Sequence, residues 1–132
     1  MKLRIKGNSL RLRLAKGEVE QLVRTGIVED TAEFGLSPEQ QFVYAVSSSD
    51  IIDQPVATLE NNAISVCLPK MLTQDWAESD QISIREEQVI TGNKTLNILI
   101  EKDFACLKES AGEDDTDGYP NPLTVKTRRV MT

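Results

Sequence analysis

An α+β fold, built as an antiparallel sheet or partly closed barrel of about eight strands with two short helices, is what this sequence predicts. Three observations lead there. Segments that alternate apolar and polar residues come in pairs joined by Gly or Asn turns. Only two stretches show helical spacing, and no strand-helix-strand series with a Gly-rich phosphate loop suggests a parallel sheet.

The first pair runs from Lys2 to Leu14 and alternates strictly on both sides of Gly7-Asn8. With those two residues as the loop, Lys6 faces Ser9, Ile5 faces Leu10, Arg4 faces Arg11, Leu3 faces Leu12 and Lys2 faces Arg13. Because alternate residues point to opposite faces, Leu3, Ile5, Leu10 and Leu12 make one apolar face. Lys2, Arg4, Lys6, Arg11 and Arg13 make a basic one. Ala15, Val19, Leu22 and Val23 then recur at helical spacing, with Glu18 near the start, Arg24 near the end and Gly26 as a stop. Ile27 to Phe34 reads as a weak strand and Phe42 to Val46 as a compact one, set off by Ser37-Pro38 and by Ser47 to Ser49.

A second hairpin is expected from Val56–Glu60 and Ala63–Leu68, because Asn61-Asn62 tolerates the positive φ of a tight turn. Its register sets Leu59 opposite Ile64 and Ala57 opposite Val66, and leaves Cys67 off the apolar face. Pro69 is expected as a first helical residue, with Leu72 and Trp76 as an i, i+4 core pair. Ile82–Ile90 and Lys94–Glu101 form a further hairpin around Thr91-Gly92-Asn93, in which Ile84 faces Ile100. Residues 1–108 are expected as one globular domain and 109–132 as an acidic loop and mobile tail. No internal repeat is evident.

At 132 residues the chain has room for a single core. It carries 21 acidic against 15 basic residues, a formal charge of −6, so phosphate neutralisation along a nucleic acid is not its expected business. The aromatic residues are scattered, away from the basic strands, and offer no base-stacking surface. With no histidine, imidazole nucleophile activation, His general bases and His-ligated metals are excluded. No export signal or membrane-length apolar run is seen, which points to the cytoplasm. There Cys67 and Cys106, 39 positions apart, are expected to be reduced, small and buried.

The five cations of the first hairpin are the most informative feature, since Arg4 opposite Arg11 and Lys2 opposite Arg13 are destabilising like-charge pairs. Three explanations stand. The face is fully solvated and screened; or carboxylates of a neighbouring strand offset it, with Glu60, Glu86 or Glu101 eligible; or the arginines clamp phosphate or carboxylate. The string Glu113-Asp114-Asp115-Thr116-Asp117-Gly118 starts like a calcium loop. It lacks the Asp at position one and the bidentate Glu at position twelve, so it reads as a solvated acidic loop. Cys106, between Phe104 and Leu107 in hydrophobic company, reads as a packing residue despite nearby Lys108.

Met1 to Leu14, the EKDFACL segment at 101–107 and the DGYPNP segment at 117–122 together resemble a group of short bacterial proteins known only as a domain of unknown function. The resemblance spans most of the chain and implies no activity and no site residues. A barrel with an inward basic face would also look like the triphosphate-tunnel phosphohydrolases, whose first strand bears alternating glutamates ending in lysine. Here Lys2, Arg4 and Lys6 occupy the alternating positions and the metal-holding glutamates are missing.

The expectation is therefore a bacterial, cytoplasmic, non-catalytic accessory domain that binds a protein partner or a small anion through Lys2, Arg4, Lys6, Arg11 and Arg13. No catalytic residue, metal site or cofactor is assigned, and neither nucleic acid nor membrane is expected as a partner. The alternative is a metal-assisted phosphate-ester enzyme, with Lys2, Arg4, Arg11 and Arg13 on the anion and Glu101 or Glu86 near a metal.

Overall fold

Four hairpins supply the eight strands of the computed structural model, which describes residues 1–104. Strands β1 (Lys2–Lys6) and β2 (Ser9–Leu14) pair in the expected register, Arg4 opposite Arg11, and turn at Gly7 with φ 56°. Strands β3 (Ile27–Glu33) and β4 (Gln41–Ser49) make the second hairpin, and β5 (Val56–Glu60) with β6 (Ala63–Pro69) the third. Asn61 and Asn62 both adopt positive φ, 51° and 63°, as a mirror-image type I turn demands. The fourth joins β7 (Ser83–Thr91) to β8 (Lys94–Lys102) with Ile84 opposite Ile100. Thr91 pairs with Lys94 across a register shift after Val89, so its loop is Gly92-Asn93 rather than the three residues expected.

Helix α1 (Lys16–Thr25) starts after Ala15, whose N–H donates to Glu18 Oε1 at 2.9 Å, and stops at Gly26 with φ 90°. Helix α2 (Lys70–Glu78) starts one residue later than expected. Pro69 ends β6 in extended conformation, and Thr73 Oγ1 donates to its carbonyl at 2.9 Å. Trp76 is fully buried, and its indole N–H donates to Ile82 O at 2.9 Å.

The α+β class, the strand number and the two helices match expectation, while the sheets themselves are mixed. They run β1-β2-β8-β7 and β3-β4-β6-β5, with β2 parallel to β8 and β4 parallel to β6. Neither sheet closes into a barrel. The inner faces meet in one core that includes Leu10, Leu12, Leu14, Val46, Val66 and Ile100. Adjacent strands in sequence are hairpin-linked as alternation implies, but a parallel ladder between central strands leaves no local signature.

The order strand-strand-helix-strand-strand occurs twice, and this corrects the expectation of no internal repeat. The pair Lys2↔Arg13 recurs as Val56↔Cys67, an offset of 54 positions (56 − 2 and 67 − 13 alike). The ladder follows the same rule: Ser9↔Asn97 and Leu14↔Lys102 become Ala63↔Val43 and Leu68↔Ser48. Buried core residues correspond as Leu10/Ile64, Leu12/Val66, Leu22/Trp76 and Val46/Ile100. Over residues 2–25 and 56–79 only Asn8/Asn62, Leu14/Leu68 and Lys16/Lys70 are identical, which hides the repeat from a reading by residue type.

The expected acidic loop and tail, residues 109–132, lie outside the described residues, as do Cys106 and the last positions of the expected globular part.

Candidate functional site

The β2/β8 ladder carries the basic face of the first hairpin across the whole sheet. On the side away from the core, side chains line up in rows across β1, β2, β8 and β7. The rows are Lys2, Arg13, Glu101 and Ser83; Arg4, Arg11, Leu99 and Arg85; and Lys6, Ser9, Asn97 and Glu87. Neighbouring strands are about 4.8 Å apart, so each row spans about 14 Å.

Four of these groups and Asp103 pair with one another and divide the face into two zones. Glu101, 9% exposed, accepts Arg11 Nε at 2.8 Å and is also bonded by Arg11 Nη2. Its Oε1 lies 3.1 Å from Arg13 Nε, close enough for charge attraction but misdirected for a hydrogen bond, and that buried nitrogen has no hydrogen-bond partner. Asp103 Oδ2 is 3.0 Å from Lys2 Nζ, and its Oδ1 is 3.7 Å from Arg13 Nη2. The end of the face bearing Lys2 and Arg13 is thus neutralised by acids of the same sheet. Of the acids eligible from sequence, Glu101 is the one that acts. Glu60 belongs to the other sheet, and Glu86 pairs with core residue Ile98 on the inner side. Asp103 escaped the sequence reading because the strand was ended at Glu101. In fact β8 runs on to Lys102, and the Asp103 N–H donates to Leu14 O at 2.9 Å, which holds its carboxylate over the face.

The other zone is an open depression of about 950 Å³, lined by Arg4, Lys6, Arg11, Arg85, Glu87 and Asn97 among others. Arg4, Lys6 and Arg85 are exposed and take part in no ion pair among the described residues. Arg85 was the residue missed. With Ile84 facing Ile100 toward the core, Arg85 falls on the outer side, but only the parallel ladder brings it into line with Arg4 and Arg11. All five sequence-derived candidates therefore share one face, and the structure separates Lys2 and Arg13, which are paired, from Arg4 and Lys6, which have no ion pair among the described residues, with Arg11 between.

The face points away from the core, whose interior is packed with leucine, isoleucine and valine. Among the described residues, a triphosphate-tunnel likeness has no basic tunnel to rest on. Among the described residues, no group of three or more acidic or cysteine side chains is placed to hold a metal ion, and no helix is long and apolar enough to cross a membrane.

The second sheet presents the same rows without a cation, and Glu29 and Glu60 stand at the places of Arg85 and Lys6. Where the first has Arg4, Arg11 and Leu99, the second has Thr58, Ser65 and Ala45; where the first has Lys2, Arg13 and Glu101, the second has Val56, Cys67 and Ser47. Cys67 is half-buried there, which corrects the expectation that it is buried and follows from its off-core register.

A family model described as a family of unknown function, DUF7009, matches residues 1–123, and the chain belongs to that family. No curated protein and no solved structure matches the chain.

Proposed function

We propose that this DUF7009 member is a non-catalytic accessory domain of the bacterial cytoplasm that binds an anionic group on the outer face of its first sheet. The group is a phosphate or carboxylate, presented by a protein partner or a small molecule. Arg4, Arg11 and Arg85 form the row that receives it, with Lys6 beside them. One observation carries the reading. The sister hairpin makes the same backbone register with Thr58 opposite Ser65, so the fold does not require the like-charge pair Arg4–Arg11. Glu101 takes up Arg11 from one side, and a ligand bridging Arg4, Arg11 and Arg85 would relieve the repulsion left in the row. Guanidinium groups suit that role because they meet phosphate or carboxylate with two parallel hydrogen bonds.

The metal-assisted alternative has less support. Glu101, its best acid, is bonded to Arg11 and lies against Arg13, and Glu86 has an inward register. Nucleic acid is a poor fit for a chain of charge −6, and we expect no salt-sensitive retention of mixed-sequence DNA or RNA at physiological salt.

Thermal melts with millimolar pyrophosphate test the reading, because a ligand selective for the native state raises stability by about 1.4 kcal/mol at ten times its dissociation constant. The wild type should melt several degrees higher with the ligand, and Arg4→Ala and Arg85→Ala should lose that shift. A wild type indifferent both to pyrophosphate and to a synthetic acidic peptide would overturn it.

A further inference from the structure

Each sheet has an edge strand that opens a repeat, β1 in the first and β5 in the second, and the two edges are finished differently. The side-chain amide of Gln88 accepts the Ala57 N–H at 2.7 Å and donates to the Ala57 carbonyl at 3.0 Å, the exchange that a neighbouring antiparallel strand would make. The backbone groups of Ala57 therefore point outward from β5. Leu3 holds the equivalent place in β1, since Leu3↔Leu12 and Ala57↔Val66 are 54 positions apart. Alternation along the strand turns the N–H and C=O of Leu3 and Ile5 to the free edge and those of Lys2, Arg4 and Lys6 to β2. Ala32 stands in the repeat where Gln88 does, Ala32↔Phe42 matching Gln88↔Leu96, and it has no amide with which to cap them. Among the described residues, no side chain bonds the Leu3 or Ile5 backbone as Gln88 bonds Ala57.

We propose that the free edge of β1 takes up, as an added antiparallel strand, an extended segment of a partner protein in which acidic and apolar residues alternate. The inference rests on the anion-binding reading of the outer face and names the class of partner. A strand added about 4.8 Å beyond β1 alternates its own side chains, so its acidic residues fall beside Arg4 and Lys6, which have no ion pair among the described residues. Its apolar residues cover half-buried Leu3 and Ile5, which is 58% exposed. Main-chain bonds supply affinity and the cations supply specificity. A second copy of β1 is the wrong occupant, because its own arginine and lysine would stand against Arg4 and Lys6.

The test titrates the full chain with a short capped peptide of alternating glutamate and valine. Hydrogen exchange should find the Leu3 and Ile5 amides fast in the free protein and protected once the peptide is bound. N-methylation of the peptide at its valine amides, which face β1, should weaken binding about tenfold or more, since hydrogen bonds are lost with the charge unchanged. The same modification at the glutamate amides, which face away, should leave affinity unchanged. Ile5→Pro removes one outward donor and spares the bonds between β1 and β2, so it should weaken the peptide and still bind pyrophosphate. Protected Leu3 and Ile5 amides in the free chain, or equal effects of the two methylations, overturn the edge pairing and leave the face an anion site if pyrophosphate binds. A wild type that binds neither peptide nor pyrophosphate overturns both readings.

Discussion

The two sheets of this molecule are alike inside and unlike outside. At the inner positions every leucine of β2 is answered in β6: Leu10 by Ile64, Leu12 by Val66 and Leu14 by Leu68, all buried. At the outer positions arginine is answered by serine or cysteine. Close packing tolerates only apolar groups of fitting volume at the first set, so shared architecture imposes shared character there. Water accepts almost any side chain at the second set, and a difference there reports on what the surface meets.

The largest expected effect tests the inner likeness. Trp76→Ala should cost about 3–5 kcal/mol and Leu22→Ala, its counterpart in α1, about 2–5, as fully buried side chains leave cavities. Urea unfolding of both variants measures it. A loss under about 1 kcal/mol at either position would break the equivalence of the two helices.

Next in size is the outer difference. Glu101→Gln leaves Arg11 and Arg13 without their shared anion and should cost about 1–3 kcal/mol, below the fully buried range because both arginines keep about a third of their exposure. Its counterpart Ser47→Ala should change stability by no more than about 0.5 kcal/mol. If the two substitutions cost the same in paired denaturation curves, the ion network contributes nothing beyond what the second sheet has without one.

Arg4→Thr copies the sister residue Thr58 into the basic row. Relief of repulsion against Arg11 should raise stability by up to about 0.5 kcal/mol, while the pyrophosphate-induced rise in melting temperature disappears. A stability loss instead would mean that Arg4 is held by a favourable partner.

The smallest effect concerns the contacts that bridge the two sheets. On one side, Gln88 accepts the Ala57 N–H at 2.7 Å and donates to the Ala57 carbonyl at 3.0 Å, so its neutral amide ties β7 to β5. On the other, the Met1 ammonium reaches Glu18 at 2.6 Å and Asp30 of β3 at 3.0 Å. Burial alone would lower the pKa of that ammonium, but the hydrogen bonds and charges of the two acids outweigh it and hold the value above the usual 8.0. The contribution is therefore complete below about pH 8 and is lost as pH climbs through the higher folded value. Melting temperature should drop slightly over that rise, and amino-terminal acetylation should abolish the drop.

Much of this was legible in the sequence because hairpins are local. Alternation around Gly7-Asn8 and Asn61-Asn62 fixed pairings such as Arg4 with Arg11 and Leu59 with Ile64. The face bearing Lys2, Arg4, Lys6, Arg11 and Arg13 followed from the same alternation. The extension of that face to Arg85 was not legible, because it depends on β2 meeting β8, and a strand that alternates apolar and polar residues reads the same whichever partner it takes. Asp103 was missed for a related reason: its place is set by a backbone bond to Leu14, far away in sequence.

The strand order has a consequence for how the chain is made. The second sheet is drawn from one continuous stretch, Ile27 to Pro69, whereas the first needs both the opening hairpin and β8. On a ribosome adding about 5–20 residues per second, the second sheet has all its strands when Pro69 emerges. Strand β2 must wait about 2–7 s longer, until Lys102 follows. Throughout that interval the nascent chain holds every strand of one sheet, while β2 of the other lacks its partner and leaves an edge of alternating leucine and arginine. The positive charge on that edge discourages a second nascent copy from pairing with it before β8 arrives.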